Sequence, residues 1–289
     1  MTSTPSSLDE LRRHIDQLDD ELHDVLMRRA EIVEAIGALK KADATPAMRP
    51  GREARILRRL MARHRGGFPR PILVRLWREL LSGSVAMQGE VPVAVYVPAS
   101  SSGLWDLARD HYGSHAPLTA FRTAGDVVGA VSDGRAVLGV LPLPGQGGGE
   151  TWWRHLLGGD VPKPRIIARL PFGARGNARL EGDDALVIGK IDPEPSDDDR
   201  SLFAIETDAE VSRTRVTTAL GQVGIAATLL DGTDKNDIAA QLFEYEGWLA
   251  ADDTRLKELH ATLSPLAVRV ALLGAYARPL TPSVLAGAE

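Results

Sequence analysis

A long helix with a heptad seam constrains this chain more than any other feature. Apolar side chains recur three and four residues apart from Leu8 to about Lys40, and the seam consists of Leu8, Leu11, Ile15, Leu18, Leu22, Val25, Ile32, Ile36 and Leu39. This spacing predicts an amphipathic helix that packs against another helix. Arg29 is the only polar side chain at a seam position. Because an unpaired charge facing a helical core is costly, we expect Arg29 to bind an anion.

Two further cations lie on the same helix. Lys40 follows Arg29 by eleven residues, so the two side chains project within roughly 20° of each other, about 16 Å apart along the axis, and can line two ends of one pocket. Arg12 is about 25 Å from Arg29 along the axis and roughly 100° around it, so an antiparallel partner chain is the natural way to deliver it to the same ligand. The alternative for Arg12 and Lys40, each beside a second cation, is an ordinary solvated charge.

Composition sets broad limits on function. The chain has 289 residues, of which 44% are hydrophobic, enough for two or three globular domains. It has no cysteine, which excludes disulfides and thiolate chemistry. We expect a cytoplasmic protein without a membrane span, because no leader and no run of about 18 apolar residues is found. Residues 1–90 carry a net charge of +3 and the remainder −8, which suits a front half that binds small anions and does not favour nucleic acid.

Two more helices are predicted after the first. The second runs from about Arg52 to Arg65 and the third from about Pro71 to Gln88. The apolar stripe of the third helix holds Leu73, Leu76, Trp77, Leu80 and Leu81. Ser84 and Gln88 continue this stripe four residues apart and so share a face. They either lead out to solvent or line a polar pocket with Arg29.

Residues 8–88 resemble the all-helical chorismate mutase family over its full length. The positions that agree in register are Leu11-Arg12, Ile15-Asp16, Leu18-Asp19, Arg28-Arg29, Gly37 to Lys40, Arg52-Glu53, Ser84-Val85 and Gln88. One departure is Arg49, since some members carry an acidic residue just before the second helix. The resemblance implies that Arg29 and the partner subunit's Arg12 hold the two carboxylates of chorismate, with Ser84 supporting one of them.

The same resemblance implies an intertwined homodimer and roles at the reacting bond. Lys40 and Gln88 would donate to the ether oxygen, Glu53 would accept from the ring hydroxyl, and Arg52 would give backbone or charge support. The Claisen rearrangement of chorismate to prephenate is unimolecular and needs no nucleophile, metal or cofactor. The enzyme clamps a dicarboxylate in its reactive shape and stabilises negative charge that develops on the ether oxygen, for which cations and amides suffice.

After Val91 the pattern changes to alternating strands and helices. We predict strands at 93–97, 116–121 and 136–141 and helices at 104–112 and 124–132, which form a small doubly wound lobe. This lobe resembles the first lobe of prephenate dehydratase, the usual fusion partner of the mutase. Only residues 143–165 precede the returning strand at 166–170, so the second lobe of that enzyme is missing.

The catalytic motifs of the dehydratase are missing as well. A Gly-Thr-Phe-Ser type turn is replaced near Ala99 to Gly103, and Asp183-Asp184-Ala185 stands where a Thr-Arg-Phe motif is expected. Gly145 to Gly149 is interpreted as a flexible bridge, because no Gly-Lys-Ser/Thr follows it. The acidic stretch Asp192 to Asp199, with two prolines, is interpreted as a linker. We therefore expect no dehydratase activity.

The last part of the chain predicts a ferredoxin-like unit. Residues 201–279 follow the order strand, helix, strand, strand, helix, strand, as in an ACT regulatory domain. The tail from Leu273 to Pro279 resembles the end of the dehydratase regulatory domain. Its ligand motifs differ, with Ala209 to Ser212 replacing a Gly-Ala-Leu turn and Asp231 to Asp234 replacing Glu-Ser-Arg-Pro. An aromatic amino acid effector, phenylalanine above all, and a structural or dimer-forming role are the two open interpretations.

The sequence thus predicts a multidomain protein. Its parts are an all-α mutase domain at 1–90, a degenerate dehydratase-like α/β lobe at 91–192 and an ACT-like domain at 200–280. The leading function is that of a chorismate mutase without dehydratase activity. The alternatives are a non-catalytic metabolite sensor or assembly protein, a bifunctional chorismate mutase/prephenate dehydratase, and a coiled-coil adaptor, which leaves Arg29 unexplained.

Overall fold

The computed structural model describes residues 7–43, 46–99, 101–145, 151–157, 163–176, 184–235, 237–264 and 266–287. Several residues of the predicted features lie outside the described residues, namely 1–6, 100, 146–149 and 183. Within the described ranges, no helix is both long enough and apolar enough to cross a membrane.

The described residues before position 90 form three helices, as predicted. Helix α1 spans Leu8–Ala42, α2 spans Pro50–Arg63 and α3 spans Arg70–Ala86. A proline stands in the first turn of both α2 and α3, where its missing N–H removes no helical hydrogen bond. Helix α1 is much the longest, because its seam continues without a breaker for ten heptad positions.

The heptad seam of α1 is exposed within a single chain. Its nine apolar side chains are between 40% and 68% exposed. The buried residues of α1 are Val33 and Gly37, which lie off the seam. The predicted helical partner of the seam is therefore not supplied by α2 or α3 of the same chain.

The α/β lobe follows with the predicted alternation. Its elements are β1 (Val93–Tyr96), α4 (Gly103–Tyr112), β2 (Leu118–Phe121), α5 (Ala124–Ser132), β3 (Leu138–Pro142), a 3₁₀ helix (Trp152–Leu156), β4 (Arg165–Leu170) and β5 (Ala185–Gly189). Strand β1 pairs in parallel with β2 and β3, and β5 is antiparallel to β3 and β4. Because parallel crossovers are right-handed as a rule, the strand order β2-β1-β3 predicts α4 and α5 on opposite faces of this sheet. Every residue of β1, β3 and β5 is buried, as expected for strands covered on both faces.

The last unit has the predicted βαββαβ order. Its elements are β6 (Asp199–Asp208), α6 (Arg213–Gln222), β7 (Ala227–Lys235), β8 (Ile238–Tyr245), α7 (Thr254–Leu263) and β9 (Ala267–Ala277), followed by a short α8 (Pro282–Ala286). All three strand pairings within it are antiparallel, in the ferredoxin-like order β9-β6-β8-β7. Phe203 and Phe243 stack at 5.6 Å in its separate hydrophobic core.

The two units share one sheet. In the described chain its order is β2-β1-β3-β5-β4-β9-β6-β8-β7, joined by parallel pairing of Ile166 with Gly274. Gly274 has φ +144°, and a Cβ atom there would lie 2.1 Å from the carbonyl oxygen of Ile166. Glycine is therefore required for β4 and β9 to approach this closely.

Two tryptophans hold the connection where the sequence predicts a missing lobe. Between β3 and β4, the described residues contain a single 3₁₀ helix. Trp152 Nε1 donates to the carbonyl of Pro142 at 3.0 Å, and Trp153 Nε1 donates to Asp231 Oδ2 at 2.8 Å. Both indoles are fully buried, so each fills the core while its N–H stays satisfied. The connection is thereby fixed to β7.

Helices α2 and α3 share a core with residues from the back of the chain. This core includes Leu57 and Met61 of α2, Val74 of α3, Phe172 after β4 and Ala277 at the end of β9. The front helices are consequently held against both later units by apolar contacts.

The buried face of α3 differs by about one residue from the predicted stripe. Its buried residues are Val74, Arg78, Leu81, Ser84 and Val85. Leu76, which the predicted stripe includes, is 50% exposed. The reason is that α3 packs against α4 as well as α2, a neighbour that periodicity cannot reveal.

Candidate active site

Arg29 contacts α3 although its apolar neighbours in the seam are exposed. Its Nη1 donates to Ser84 Oγ at 2.5 Å, and Ser84 Oγ donates to the carbonyl of Leu80 at 2.6 Å. The guanidinium carbon lies 5.9 Å from the centre of the Trp77 ring. Burial lowers the pKa of Arg29 below its ordinary value. In the part of the chain that the structure describes, no carboxylate pairs with this guanidinium, so it retains donors for an external anion.

Gln88 lies on the same interface between α1 and α3. Its Nε2 donates to the backbone carbonyl of Ser84 at 2.9 Å, while its buried Oε1 accepts no hydrogen bond from the described residues. A Cβ atom at Gly37 would lie 3.0 Å from Gln88 Cγ, so glycine allows the close packing of α1 on Gln88. Rotating the amide by a half-turn would bring its N–H₂ group to the position of Oε1.

Lys40 is held by the loop before α2. Its Nζ donates to the carbonyls of Pro46 at 3.1 Å and Ala47 at 2.8 Å. An ammonium group has three donors, so one is left for a ligand. The loop therefore decides where Lys40 can place its charge.

Four charged groups act on Lys40. Burial lowers its pKa most, and Arg49 and Arg52 lower it further, whereas Glu194 and Glu53 raise it. The two carboxylates thus help to keep Lys40 protonated next to two other cations. Glu194 belongs to the segment before β6, far away in the sequence.

Glu53 forms an ion pair inside the protein. Arg78 Nη1 donates to Glu53 Oε2 at 2.7 Å, and the two side chains are 7% and 14% exposed, respectively. Burial raises the pKa of Glu53, while Arg78 and Lys40 act in the opposite direction. The guanidinium carbon of Arg78 lies 5.3 Å from the centre of the Phe172 ring. Arg78 donates to Oε2, so the other carboxylate oxygen of Glu53, Oε1, is the one available to accept from a hydroxyl group.

Arg12 and Arg52 are exposed. Arg12 makes an ion pair of 3.4 Å with Asp9, one turn earlier on α1, and its side chain is 66% exposed. Arg52 lies in the first turn of α2 and acts on Lys40 through its charge. The structure thus brings Arg29, Ser84 and Gln88 together, connects Lys40 electrostatically with Arg52 and Glu53, and leaves Arg12 near the opposite end of α1.

Two charged residues of this region, Arg78 and Glu194, were not predicted from the sequence. Arg78 lies on the buried face of α3 between Val74 and Leu81, which is shifted by about one residue from the predicted stripe, so the apolar pattern did not mark it. Glu194 pairs with Arg49, but no local pattern connects residues 145 positions apart.

The three-helix region is similar to known proteins. Residues 11–89 match the family model Chorismate mutase type II, which confirms the resemblance found in the sequence. The chain is 31% identical over 140 residues to the bifunctional chorismate mutase/prephenate dehydratase of Aquifex aeolicus, and 32% identical over 141 residues to that of Neisseria gonorrhoeae. Each similarity covers 47% of this chain and 38% of the relative. The chain therefore spans well under half the length of these curated relatives.

A more remote likeness is found among solved structures. The prephenate dehydratase of Arthrobacter aurescens, solved in complex with L-Phe, is 12% identical to this chain, with a TM-score of 0.49. The likeness covers 67% of this chain and 94% of that one. The family match of residues 11–89 is accordingly the firmer result.

The Glu53–Arg78 pair yields a prediction about stability. Arg78→Met should lower the free energy of unfolding by about 3–5 kcal/mol, because Glu53 stays buried without its partner. Urea unfolding measures this loss. Combining Arg78→Met with Glu53→Gln should restore part of it, because no unpaired charge then remains.

Arg75→Met is the matched control, since Arg75 is one turn away, 48% exposed and paired with Asp110. It should cost no more than about 1 kcal/mol. Equal losses for Arg75→Met and Arg78→Met would contradict the buried role of Arg78.

Proposed function

We propose that this protein is a chorismate mutase that converts chorismate to prephenate in the cytoplasm. The observation that carries the proposal is Arg29, a partly buried guanidinium that is oriented by Ser84 and has no carboxylate partner in the described chain. It lies within the segment 11–89 that matches the mutase family. Chorismate has two carboxylates, and a desolvated guanidinium with free donors suits one of them.

Lys40, Gln88 and Glu53 suit the part of chorismate around the ether bond that breaks. As the ether bond of chorismate stretches, negative charge grows on its oxygen. Lys40 has one donor left, and a half-turn of the Gln88 amide would place its N–H₂ group where Oε1 now lies without a partner. Glu53 keeps one carboxylate oxygen for the ring hydroxyl. These groups orient and stabilise a unimolecular rearrangement without taking part in any covalent step.

The exposed seam of α1 supports a homodimer. Nine apolar side chains in heptad spacing along a helix of about 52 Å are expected to pack on a second copy. If two α1 helices pair antiparallel about the middle of the seam, the partner subunit's Arg12 is level with about residue 35. That position lies between Arg29 and Lys40, so the partner would complete the site for the second carboxylate.

The back of the chain is proposed to lack dehydratase activity. In the described residues, one short 3₁₀ helix stands between β3 and β4, where a second lobe would have to begin. The βαββαβ unit is proposed as an ACT-like regulatory domain, and its order of strands supports this. Adding phenylalanine to an assay of chorismate consumption tests whether an aromatic amino acid is its effector.

The purified protein should remove chorismate absorbance and form prephenate without phenylpyruvate. Arg29→Ala should lower kcat/KM by about 100-fold or more, because one oriented carboxylate contact is lost. Arg28→Ala, a change at the neighbouring exposed arginine, is the control and should have little effect. No turnover by folded protein would favour a non-catalytic sensor, and phenylpyruvate formation would favour the bifunctional alternative.

Substitutions that introduce charged side chains into the seam of α1 test whether the seam forms the dimer. Leu18→Glu combined with Leu22→Glu should give a monomer in sedimentation experiments and should abolish mutase activity, because the partner's arginine no longer arrives. Met27→Glu is the control for the introduction of a charge on this helix, since Met27 is apolar and 47% exposed but lies off the seam. A wild-type monomer with full activity would exclude the shared site.

A further inference from the structure

The segment between β5 and β6 places a carboxylate at the proposed active site. Glu194 Oε1 accepts from Arg49 Nε at 2.9 Å, and its Oε2 accepts from Arg49 Nη2 at 2.6 Å. Such two-pronged pairing between a guanidinium and a carboxylate is strong and directional. The Glu194 side chain is 24% exposed, so the pair is partly withdrawn from solvent. What the sequence presents as a linker is therefore bound to the residue that precedes α2.

The backbone of this segment also fits against α2. A Cβ atom at Gly51 would lie 2.6 Å from the carbonyl oxygen of Glu194. Glycine at this position thus allows the segment to lie on the first turn of α2. Arg55 Nη2, one turn further along, is 3.9 Å from Glu194 Oε2. The contact combines steric fit with charge pairing.

The segment is also bound to Arg58, which lies two turns after Gly51 on α2. Arg58 donates to the backbone carbonyl of Ser196 at 2.6 Å and to that of Asp198 at 2.8 Å. Ser196 is itself held by Asp199, the first residue of β6, through its N–H at 2.8 Å and its hydroxyl at 2.5 Å. The position of Glu194 is therefore tied to the start of the ferredoxin-like unit.

Holding Arg49 has a consequence for Lys40. Arg49 directly follows the loop whose carbonyls, Pro46 and Ala47, bind the Lys40 ammonium group. Fixing Arg49 limits the movement of this loop and hence of Nζ. Glu194 also offsets part of the positive charge near Lys40 that Arg49 and Arg52 contribute.

We propose that Glu194 is a positioning residue of the mutase site, which holds Arg49 and, through the loop before α2, the ammonium group of Lys40. This inference rests on the proposed mutase function. It means that a site formed by the front helices is completed by the segment that leads into the ferredoxin-like unit. It also explains why Arg49 departs from the acidic residue of some mutases, since an acidic side chain there would repel Glu194.

The test compares Glu194→Gln with Asp192→Asn in the full-length protein. The control residue lies on the same segment, is 92% exposed and pairs with Arg165, away from Lys40. Glu194→Gln should lower kcat by about 10-fold or more with a smaller change in KM, because Lys40 acts on charge that develops in the transition state. Asp192→Asn should leave both constants unchanged.

The pH dependence of mutase activity distinguishes a positioning role of Glu194 from a role in protein stability alone. The charged groups around Lys40 are Arg49, Arg52, Glu53 and Glu194, and removing the last leaves two cations opposed by one carboxylate. The pKa of Lys40 should then fall, so Glu194→Gln should lose activity at a lower alkaline pH than wild type. Glu194→Asp should restore part of the wild-type profile.

Two results would overturn the inference. Wild-type kcat and an unshifted alkaline limb in Glu194→Gln would exclude the positioning role while leaving the mutase proposal intact. Absence of turnover in the wild type would overturn both. A charge exchange, Arg49→Asp with Glu194→Lys, adds a further check, because it should recover more activity than Arg49→Asp alone.

Discussion

The cost of withdrawing a cation from water determines much of this structure. Arg29 stands in a seam of apolar residues, yet its partly buried guanidinium contacts Ser84 and Trp77 on α3. Partial burial lowers the pKa of Arg29 because it disfavours the charged form, and a bound anion would offset that cost. Ser84, Gln88 and the close packing at Gly37 all serve the interface that places Arg29. A dicarboxylate substrate is the kind of ligand that makes this arrangement favourable.

The front helices cannot be understood without the rest of the chain. Their apolar core includes Phe172 and Ala277, and α2 is bonded to the segment before β6 through Arg49 and Arg58. In the described chain a single sheet continues from the α/β lobe into the ferredoxin-like unit. The proposed catalytic groups around Lys40 consequently lie where the later units meet α2. A structural change in those units can therefore reach the site through the contacts of Arg49 and Arg58.

Local periodicity revealed the parts of the site that lie on regular helices. Arg29 was found as an exception in a heptad seam, and Ser84 with Gln88 as the continuation of an apolar stripe. Periodicity does not show which neighbours a helix has, so the buried face of α3 and the pair between Arg78 and Glu53 were missed. It also cannot show contacts between distant segments, which is why Glu194 and the pairing of β4 with β9 came only from the structure.

Subunit mixing tests the account most directly, because the proposed site takes Arg29 from one chain and Arg12 from its partner. Arg12→Ala and Arg29→Ala should each be nearly inactive as pure dimers. After the two variants are unfolded and refolded together, hybrids contain one site with both arginines, and about a quarter of wild-type activity should return in a random mixture. Activity that stays at the level of the separate variants, while hybrid dimers are shown to form, would contradict a mutase site shared between two copies of this chain.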